Sequence, residues 1–495
     1  MKLMKRMGTM PSYRRRHTIA LATLLLAGCT LAPHTAPDGA VQRLGGGYAQ
    51  PQRVPDQTLD WGQDPARAWW HGLSSPQLDA AVAVALKQNP GLQAQLATLQ
   101  QQQSLYQVSR GETLLPSVDG KLGATREKLY LGPGFVFGPL NLYNAGVSAS
   151  YNLDLFGAER ETLHAALARV DEQRYQAEVS RQTLISNVVT AVIHAAYTEE
   201  ALQNQQKLRA LQAQELDLLQ AQWRAGAVPQ SEVLNAQLTL QASDAALPGL
   251  RKAVAAARHQ VNLLLGRDPD HATALPRLDE LTLPSHVPVS LPSRLLAQRP
   301  DIEVAAAVWD ESAAEVGVAR ADLLPQIQLT ASLDAYGITP AQLFKSNSLV
   351  WGLGAGLTQP LFHGGALRAQ EKAAEAAFDA AGASYRQVVA QAFSQVADVL
   401  VALAEDQHAQ SVQADIEKMQ QQQLALAQAR YSSGSDGLRA QLQAEEQVLV
   451  AHLQWQSGQA ARLSDVVALY QALGGRWETA PVTKIHLQTS QRNAR

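Results

Sequence analysis

The sequence predicts a mixed fold in which very long α-helices accompany a transmembrane β-barrel, with two copies of one structural unit in each chain. Three observations support this prediction. Segments of the first half recur in the same order about 206–210 residues later. Apolar and polar residues alternate in four segments of roughly ten residues, a pattern typical of barrel strands. Two stretches of about 65 residues contain no proline, as long helices require.

The first 28 residues predict a bacterial lipoprotein signal peptide. A basic leader without acids precedes an apolar run at 18–28, which ends directly before Cys29, the only cysteine. This run is too short to span a bilayer, which needs about 20 residues, but it fits a secretory signal. Leu-Ala-Gly-Cys resembles the lipobox, so we expect a covalent lipid on Cys29 and no other cofactor. Thr30 follows in place of the aspartate that often retains lipoproteins at the inner membrane, which favours the outer membrane.

Composition and motifs exclude several function classes. The whole-chain net charge is −3, and removal of six leader cations brings the mature chain to about −9. Nucleic-acid binding is therefore not expected, since it needs a basic surface. The sequence contains no H-E-x-x-H, P-loop or G-x-S-x-G motif, and its twelve histidines are dispersed. We expect neither an enzyme nor a metal centre.

The internal repeat sets the domain organisation. "YNLDLFGAER" resembles "LTQPLFHGGALR", and "QWRAG" resembles "RYSSG", in the same order in both halves. No segment after the leader reaches 18 apolar residues, so no transmembrane helix is expected. The predicted divisions are a signal peptide at 1–28, a lipidated N-terminal extension at 29–75, repeat 1 at 76–280, a linker at 281–292, repeat 2 at 293–478 and a polar tail at 479–495.

The alternating segments predict β-strands near 117–128, 144–156, 326–336 and 348–361. A half-buried soluble sheet is the alternative to a barrel, but an outer-membrane lipid anchor favours the barrel. Four strands cannot close a barrel, because the smallest have about eight, and open edges in lipid leave backbone groups unsatisfied. The chain must therefore oligomerise, with the number of copies left open. The apolar face is expected to contact lipid through Val147, Tyr151, Leu329 and Leu353.

Long helices are predicted near 158–224, 229–265, 365–431 and 437–473. At about 1.5 Å per residue the longest reach roughly 100 Å. Each pair is joined by a short turn and forms an antiparallel hairpin. A purely structural coiled-coil lipoprotein is a second alternative, although it would need no barrel strands. In the third helix a heptad seam is predicted at Tyr385, Val388, Ala392, Val396, Val399 and Leu403.

Over residues 60–478 the chain resembles the TolC-like outer membrane factor family, in its lipoprotein efflux branch. The resemblance rests on the lipobox and on the motifs "AWWHGLSSPQLDAAVAVALKQNP", "LLPS", "RPDI", "LFHGGALR" and "RYSSG". It implies a homotrimer with a 12-stranded outer-membrane barrel and a 12-helix periplasmic tunnel, girdled by short helices near 78–87 and 293–297. It also implies a passive export duct for small toxic compounds or drugs. A periplasmic adaptor and an inner-membrane transporter would be its partners. Type I protein secretion and metal efflux are the alternatives.

The resemblance further implies that the adaptor grips the helical turns and that inward-facing residues beyond the second turn close the tip. This sequence departs from the family there. Gln443 stands where members often carry an aspartate, and Arg439 stands where some carry a leucine. We expect Glu232 to pair with Arg439 of the same or the next subunit. The predicted tip and gate residues are Gly226, Glu232, Asn235, Gly434, Arg439 and Gln443.

Overall fold

The computed structural model of the chain describes residues 31–33, 35, 57–130, 136–290, 296 and 298–474. The signal peptide, Cys29 and the polar tail lie outside these residues, as does most of the short helix expected near 293–297. By its internal contacts the chain divides into two compact units. The first contains Met1–Asp38, Leu99–Gln173 and Ala305–Tyr385, and the second contains Gly39–Thr98, Arg174–Val304 and Arg386–Arg495.

Both repeats contain two strands followed by two very long helices, and these strands are preceded by two helices in repeat 1 and by one helix among the described residues of repeat 2. The long helices begin and end within one residue of the predicted bounds. In chain order the strands are β1 (Thr58–Trp61), β2 (Ser117–Tyr130), β3 (Val136–Leu153), β4 (His286–Val289), β5 (Gln326–Gly337) and β6 (Leu349–Thr358). The helices are α1 (Pro76–Gln88), α2 (Pro90–Leu114), α3 (Ala158–Arg224), α4 (Gln230–Leu264), α5 (Pro300–Ala321), α6 (Ala366–Ser432) and α7 (Leu438–Leu473).

The first unit contains an antiparallel sheet in the order β2-β3-β5-β6. Its register aligns apolar residues across all four strands, because cross-strand partners share a face. Val147 pairs with Leu333, and Tyr151 pairs with Leu329. One apolar row consists of Val118, Ala149, Ala331 and Leu353. The adjacent polar row consists of Asp119, Ser148, Ser332 and Gly352. The four residues expected to contact lipid therefore lie on one face of the sheet.

This apolar face is uncovered in the single chain. Leu353 is 77 % exposed, Val147 is 50 % exposed and Leu329 is 39 % exposed. Strands β2 and β6 pair on one side only among the described residues, so both edges of the sheet are open. A soluble sheet would bury its apolar rows against another element. In the single chain the apolar side chains of this face remain exposed, and the outer backbone groups of β2 and β6 lack a partner strand among the described residues.

The predicted bounds of two strands were wrong. The strand predicted at 144–156 begins at Val136, because a bulge opposite Glu127 and Leu129 accommodates Pro139, which lacks a backbone N–H. It ends at Leu153, because the Asp154 carboxylate accepts hydrogen bonds from the first backbone amides of α3.

The strand predicted at 348–361 also ends early, at Thr358. The next residue, Gln359, turns its side-chain amide back to the Leu323 carbonyl at 3.1 Å. Pro360 then follows and has no N–H to contribute to a ladder.

In the second unit the predicted extension and the predicted linker each contain a short strand, and the two strands pair. Strand β1 of the extension pairs in parallel with β4 of the linker, from Thr58 opposite His286 to Trp61 opposite Val289. Helix α1 contributes to an apolar core of the same unit. This core contains Leu78, Val82, Ala85, Val188, Val192, Val261, Leu265, Leu278, Leu463 and Val467. Sequence-distant segments therefore meet where α1, α3, α4 and α7 pack together.

In each repeat the last helix ends at a glycine with a left-handed backbone conformation. Gly266 and Gly474 both have a left-handed backbone, with φ of 68° and 78°. A Cβ on Gly266 would lie 2.6 Å from the Gln88 carbonyl oxygen, so only glycine fits this approach. The Asn89 amide donates to the Leu264 carbonyl at 2.9 Å. In repeat 2 the equivalent donor is Arg299.

Arg299 begins the "RPDI" motif and is 6 % exposed. Its Nη1 donates to the Ala472 carbonyl at 2.8 Å, near the end of α7. Its Nε and Nη2 donate to the two carboxylate oxygens of Asp301 at 3.0 and 2.6 Å. Nη2 also donates to the Gln395 side chain of α6 at 2.8 Å. A cation at the carboxyl end of a helix also interacts favourably with the helix dipole.

The seam predicted in α6 is shifted by one residue at two positions. Val389 and Leu400 are buried where Val388 and Val399 were expected, while the other predicted seam positions are buried as expected. Neighbouring residues on a helix differ by about 100° in direction, so a one-residue error moves a side chain out of the contact. Both candidates at each position are aliphatic, and the sequence could not distinguish them.

Among the helices that the structure describes, α6 alone contains a stretch apolar enough to cross a membrane by length and composition. In that stretch 28 % of the residues are buried. One such helix is weak support for a membrane span, since core helices of other proteins meet the same criterion.

Candidate channel gate at the helical turns

The turn after α3 and the turn after α6 have the same backbone structure. Gly226 and Gly434 both have φ of 72°, the left-handed conformation that favours glycine. In each turn two backbone amides bond back to carbonyls of the preceding helix in a Schellman motif. Ala227 donates to Gln222 at 2.9 Å. Ser435 donates to Arg430 at the same distance. Both predicted turn glycines thus end a long helix and reverse the chain direction.

Beyond the second turn, Arg439 lies against two carboxylates of repeat 1. Its Nη1 is 2.8 Å from Glu232 Oε2, and its Nε donates to Glu215 Oε1 at 2.9 Å. Glu232 begins α4, whereas Glu215 lies near the end of α3. The three side chains therefore join α3, α4 and α7 within one subunit. Arg439 was predicted to pair with Glu232, and the structure brings these two residues together.

Glu215 is the tip residue that sequence reasoning missed. It also accepts a hydrogen bond from the Gln443 amide at 2.9 Å, so Gln443 and Arg439 share its Oε1 atom. Its side chain is 13 % exposed. In the sequence Glu215 is one of many polar residues in a uniform helix, and no motif marks it. Asn235 lies exposed on α4, and none of the ion pairs described at the tip includes it.

The electrostatics of the tip depend on burial and on like charges. The hydrogen bond from Arg439 to Glu215 is the main reason that the pKa of the guanidinium is raised. Burial, followed by repulsion from Glu215, raises the pKa of the Glu446 carboxyl to about 7. Among the described residues no group of three or more histidine, cysteine or acidic side chains could hold a metal ion. The tip therefore offers a network of ion pairs and hydrogen bonds.

A family model described as "Outer membrane efflux protein" matches residues 81–267 and 291–475. These two segments include most of both predicted repeats. This chain belongs to that family. It is therefore an efflux channel protein of the outer membrane.

Two relatives of this efflux channel match 94 % and 74 % of its length. The pyoverdine export outer membrane protein OpmQ of Pseudomonas putida is 30 % identical over 481 residues, which are 94 % of this chain and 98 % of OpmQ. The fusaric acid resistance protein FusA of Burkholderia cepacia is 30 % identical over 383 residues, or 74 % of this chain and 71 % of FusA.

Solved structures support the same fold. The outer-membrane channel OprN superposes with a TM-score of 0.81 at 25 % identity, over 91 % of this chain and all of the OprN chain. The open state of the MtrE outer membrane channel of Neisseria gonorrhoeae gives a TM-score of 0.78 at 26 % identity, over 90 % and 98 % of the two chains. The efflux channel described here thus has the fold of TolC-like outer membrane channels.

Proposed function

We propose that the chain assembles as a homotrimer that forms a passive export duct through the outer membrane. Three copies of the β2-β3-β5-β6 sheet would make a 12-stranded barrel, and three copies of the four long helices would make a 12-helix periplasmic tunnel. The observation that carries this proposal is the aligned apolar face of a sheet with two open edges. Pairing β2 of one copy with β6 of the next would satisfy both edges, as a bilayer requires.

The partners of the duct would be a periplasmic adaptor at the helical turns and an inner-membrane transporter that supplies energy. Relatives are named for the export of pyoverdine and for toluene efflux, and another for resistance to fusaric acid. These compounds differ widely in size and polarity, which suits a wide passive duct whose selectivity is set upstream. We propose small toxic organic compounds as its cargo.

Two measurements test the assembly. Native mass spectrometry of the detergent-purified protein should give three copies, and any other closed number would contradict the trimer. Planar bilayers containing the protein should show discrete conductance steps, because a closed barrel leaves an aqueous lumen. A coiled-coil spacer without a pore would produce no conductance steps, and that result would overturn the proposal.

We also propose that Arg439 holds the periplasmic tip closed through Glu232 and Glu215. A partly exposed pair contributes only about 0–1 kcal/mol, but three-fold symmetry would multiply any contribution by three. Arg439→Ala should raise the single-channel conductance of the isolated trimer several-fold. Glu232→Ala should have a smaller effect, because Glu215 still holds the guanidinium.

The control for Arg439→Ala is Arg224→Ala, which removes an exposed guanidinium at the first turn. It should leave the conductance unchanged. Exchanging the charges of Arg439 and Glu232 should not restore closure, since the new carboxylate at 439 would face Glu215. Wild-type conductance in the variants at both 439 and 232 would show that the gate lies elsewhere.

Cys29 is proposed as the lipid anchor. Radiolabelled palmitate should enter the wild-type protein and Thr30→Ala, but not Cys29→Ser. The Cys29→Ser protein should still form oligomers, because acyl chains give limited binding energy compared with a complete barrel. An unlabelled wild-type protein would refute the anchor.

A further inference from the structure

One face of α7 presents three polar residues toward α3. Arg439, Gln443 and Glu446 are spaced by four and three residues, which places them on the same side of the helix. The first two donate to the same oxygen of Glu215. The third, Glu446, lies close enough to Glu215 for their charges to interact. The stripe therefore places the Glu446 carboxyl group within electrostatic range of the Glu215 carboxyl group.

Glu446 is poorly satisfied as a carboxylate in this position. Its Oε1 atom is buried and has no hydrogen-bond partner among the described residues. Gln212, one turn before Glu215 on α3, likewise buries its Oε1 without a partner. A side-chain amide oxygen can only accept a hydrogen bond, and an ionised carboxylate cannot donate one. A protonated Glu446 would carry an O–H donor, which the ionised carboxylate lacks.

We propose that Glu446 makes the tip contact proton-sensitive. In its neutral form it is compatible with Glu215, and α3 stays packed against α7. In its ionised form it repels Glu215 and competes for Arg439, which favours separation of the helices and an open tip. This inference rests on the proposed gate function of Arg439 and adds a control by pH.

The direction of the effect follows from proton linkage. Packing raises the pKa of Glu446 to about 7, from an ordinary value near 4.5. When α3 and α7 separate, water reaches the carboxyl group and its pKa falls back toward that ordinary value. The packed state therefore binds the proton more tightly and is favoured at low pH. Closure weakens as the pH rises above about 4.5, and the loss is complete above about 7.

Other charged groups around the stripe need their own controls. The cation of the stripe is Arg439 of α7, which also forms an ion pair with Glu232 of α4. From α6, Glu417 pairs with His452 of α7 at 3.0 Å. Farther along α7, burial and the neighbouring Asp406 raise the pKa of Asp465 to about 7. Both His452 and Asp465 could produce a pH response independent of Glu446.

The test is the open probability of the purified full-length trimer in planar bilayers. The pH is varied from about 5.5 to 8.5 on the side that holds the helical turns. The full difference between a pKa near 4.5 and one of about 7 would allow a change of about 300-fold per subunit, and solvent screening reduces this. We expect the wild-type open probability to rise about tenfold over this range. Glu446→Gln is neutral at every pH and should stay at the low-pH level throughout.

The matched control is Glu445→Gln, which removes the same charge from the adjacent, half-buried position and should titrate like the wild type. His452→Gln and Asp465→Asn should also retain the alkaline increase. A wild-type response that survives in Glu446→Gln, or that disappears in either of these two variants, overturns the inference. If Arg439→Ala opens the channel while Glu446→Gln leaves the pH response intact, the proposed gate is supported and the proposed control by Glu446 is wrong. If Arg439→Ala has no effect, the gate itself fails.

Discussion

Leu329→Arg is expected to prevent stable insertion of the channel, whereas Thr330→Arg is expected to be tolerated. Leu329 lies in an apolar row between Tyr151 and Ala355. An arginine on the lipid face near the bilayer midplane costs roughly 2–4 kcal/mol. The proposed trimer would carry three copies, so the total penalty would be comparable to the whole stability of a typical domain.

Thr330 offers a close control because it is the next residue on the same strand. It lies in the polar row between Ser150 and Gly354, on the opposite face of the sheet. Leu329→Ala is the second control, since it removes packing without adding a charge. The measurement is the amount of heat-modifiable oligomer in the outer-membrane fraction. Equal losses for both arginine variants, or a larger loss for Thr330→Arg, would show that the two faces have been assigned in reverse.

Arg299→Ala is expected to destabilise the second unit strongly. The substitution leaves Asp301 without its bidentate partner and the Ala472 carbonyl without its donor. Breaking a buried charge pair typically costs about 3–5 kcal/mol. Asp301 is partly exposed and can regain water, so we expect the lower end of that range. The midpoint of thermal unfolding in detergent, at a fixed heating rate, should fall clearly below that of the wild type.

Two further variants separate packing from charge at this site. Arg299→Lys keeps the positive charge but lacks the planar fork, so it should give an intermediate loss. Arg251→Ala removes an exposed arginine of α4 and should leave the midpoint unchanged. If Arg299→Ala and Arg251→Ala have the same midpoint of thermal unfolding, the hydrogen-bond network of Arg299 contributes nothing to stability, and our account of the "RPDI" motif is wrong.

Long-period patterns made much of the fold predictable. The bounds of α3, α6 and α7 follow from runs without proline, and all four long helices end at or just before a glycine turn. Helix α4 continues through Pro248. Strand faces were equally readable, since the period of two fixes which side chains point the same way. The set predicted to face lipid depends only on that parity and on the register, which pairs Val147 with Leu333 and Tyr151 with Leu329. Strand ends were less predictable, because Pro139 and Asp154 act through geometry that the alternation does not reveal.

The gate was predictable only in part. Arg439 and Gln443 stood out because they depart from the pattern of the resembling family, and Glu232 stood out because it lies beside the first turn. Glu215 carried no signal, since its importance comes from its position opposite α7. No sequence pattern marked Glu446 either, because its burial and its proximity to Glu215 cannot be predicted from an isolated helix. Two partners of the network were therefore invisible until α3 and α7 were placed side by side.

The sequence by itself determined the repeat, the long helices, the strand faces and the membership of an export family, because each is recorded in periodicity or in contiguous motifs. Only the tertiary structure decided which residues meet across distant segments. It paired β1 with β4 over more than 220 residues, placed Arg299 beneath the end of α7, and set Glu215 between Arg439 and Gln443. The physical reason is that burial and charge pairing depend on three-dimensional distance, whereas periodicity reports only the direction in which a side chain leaves its own helix or strand.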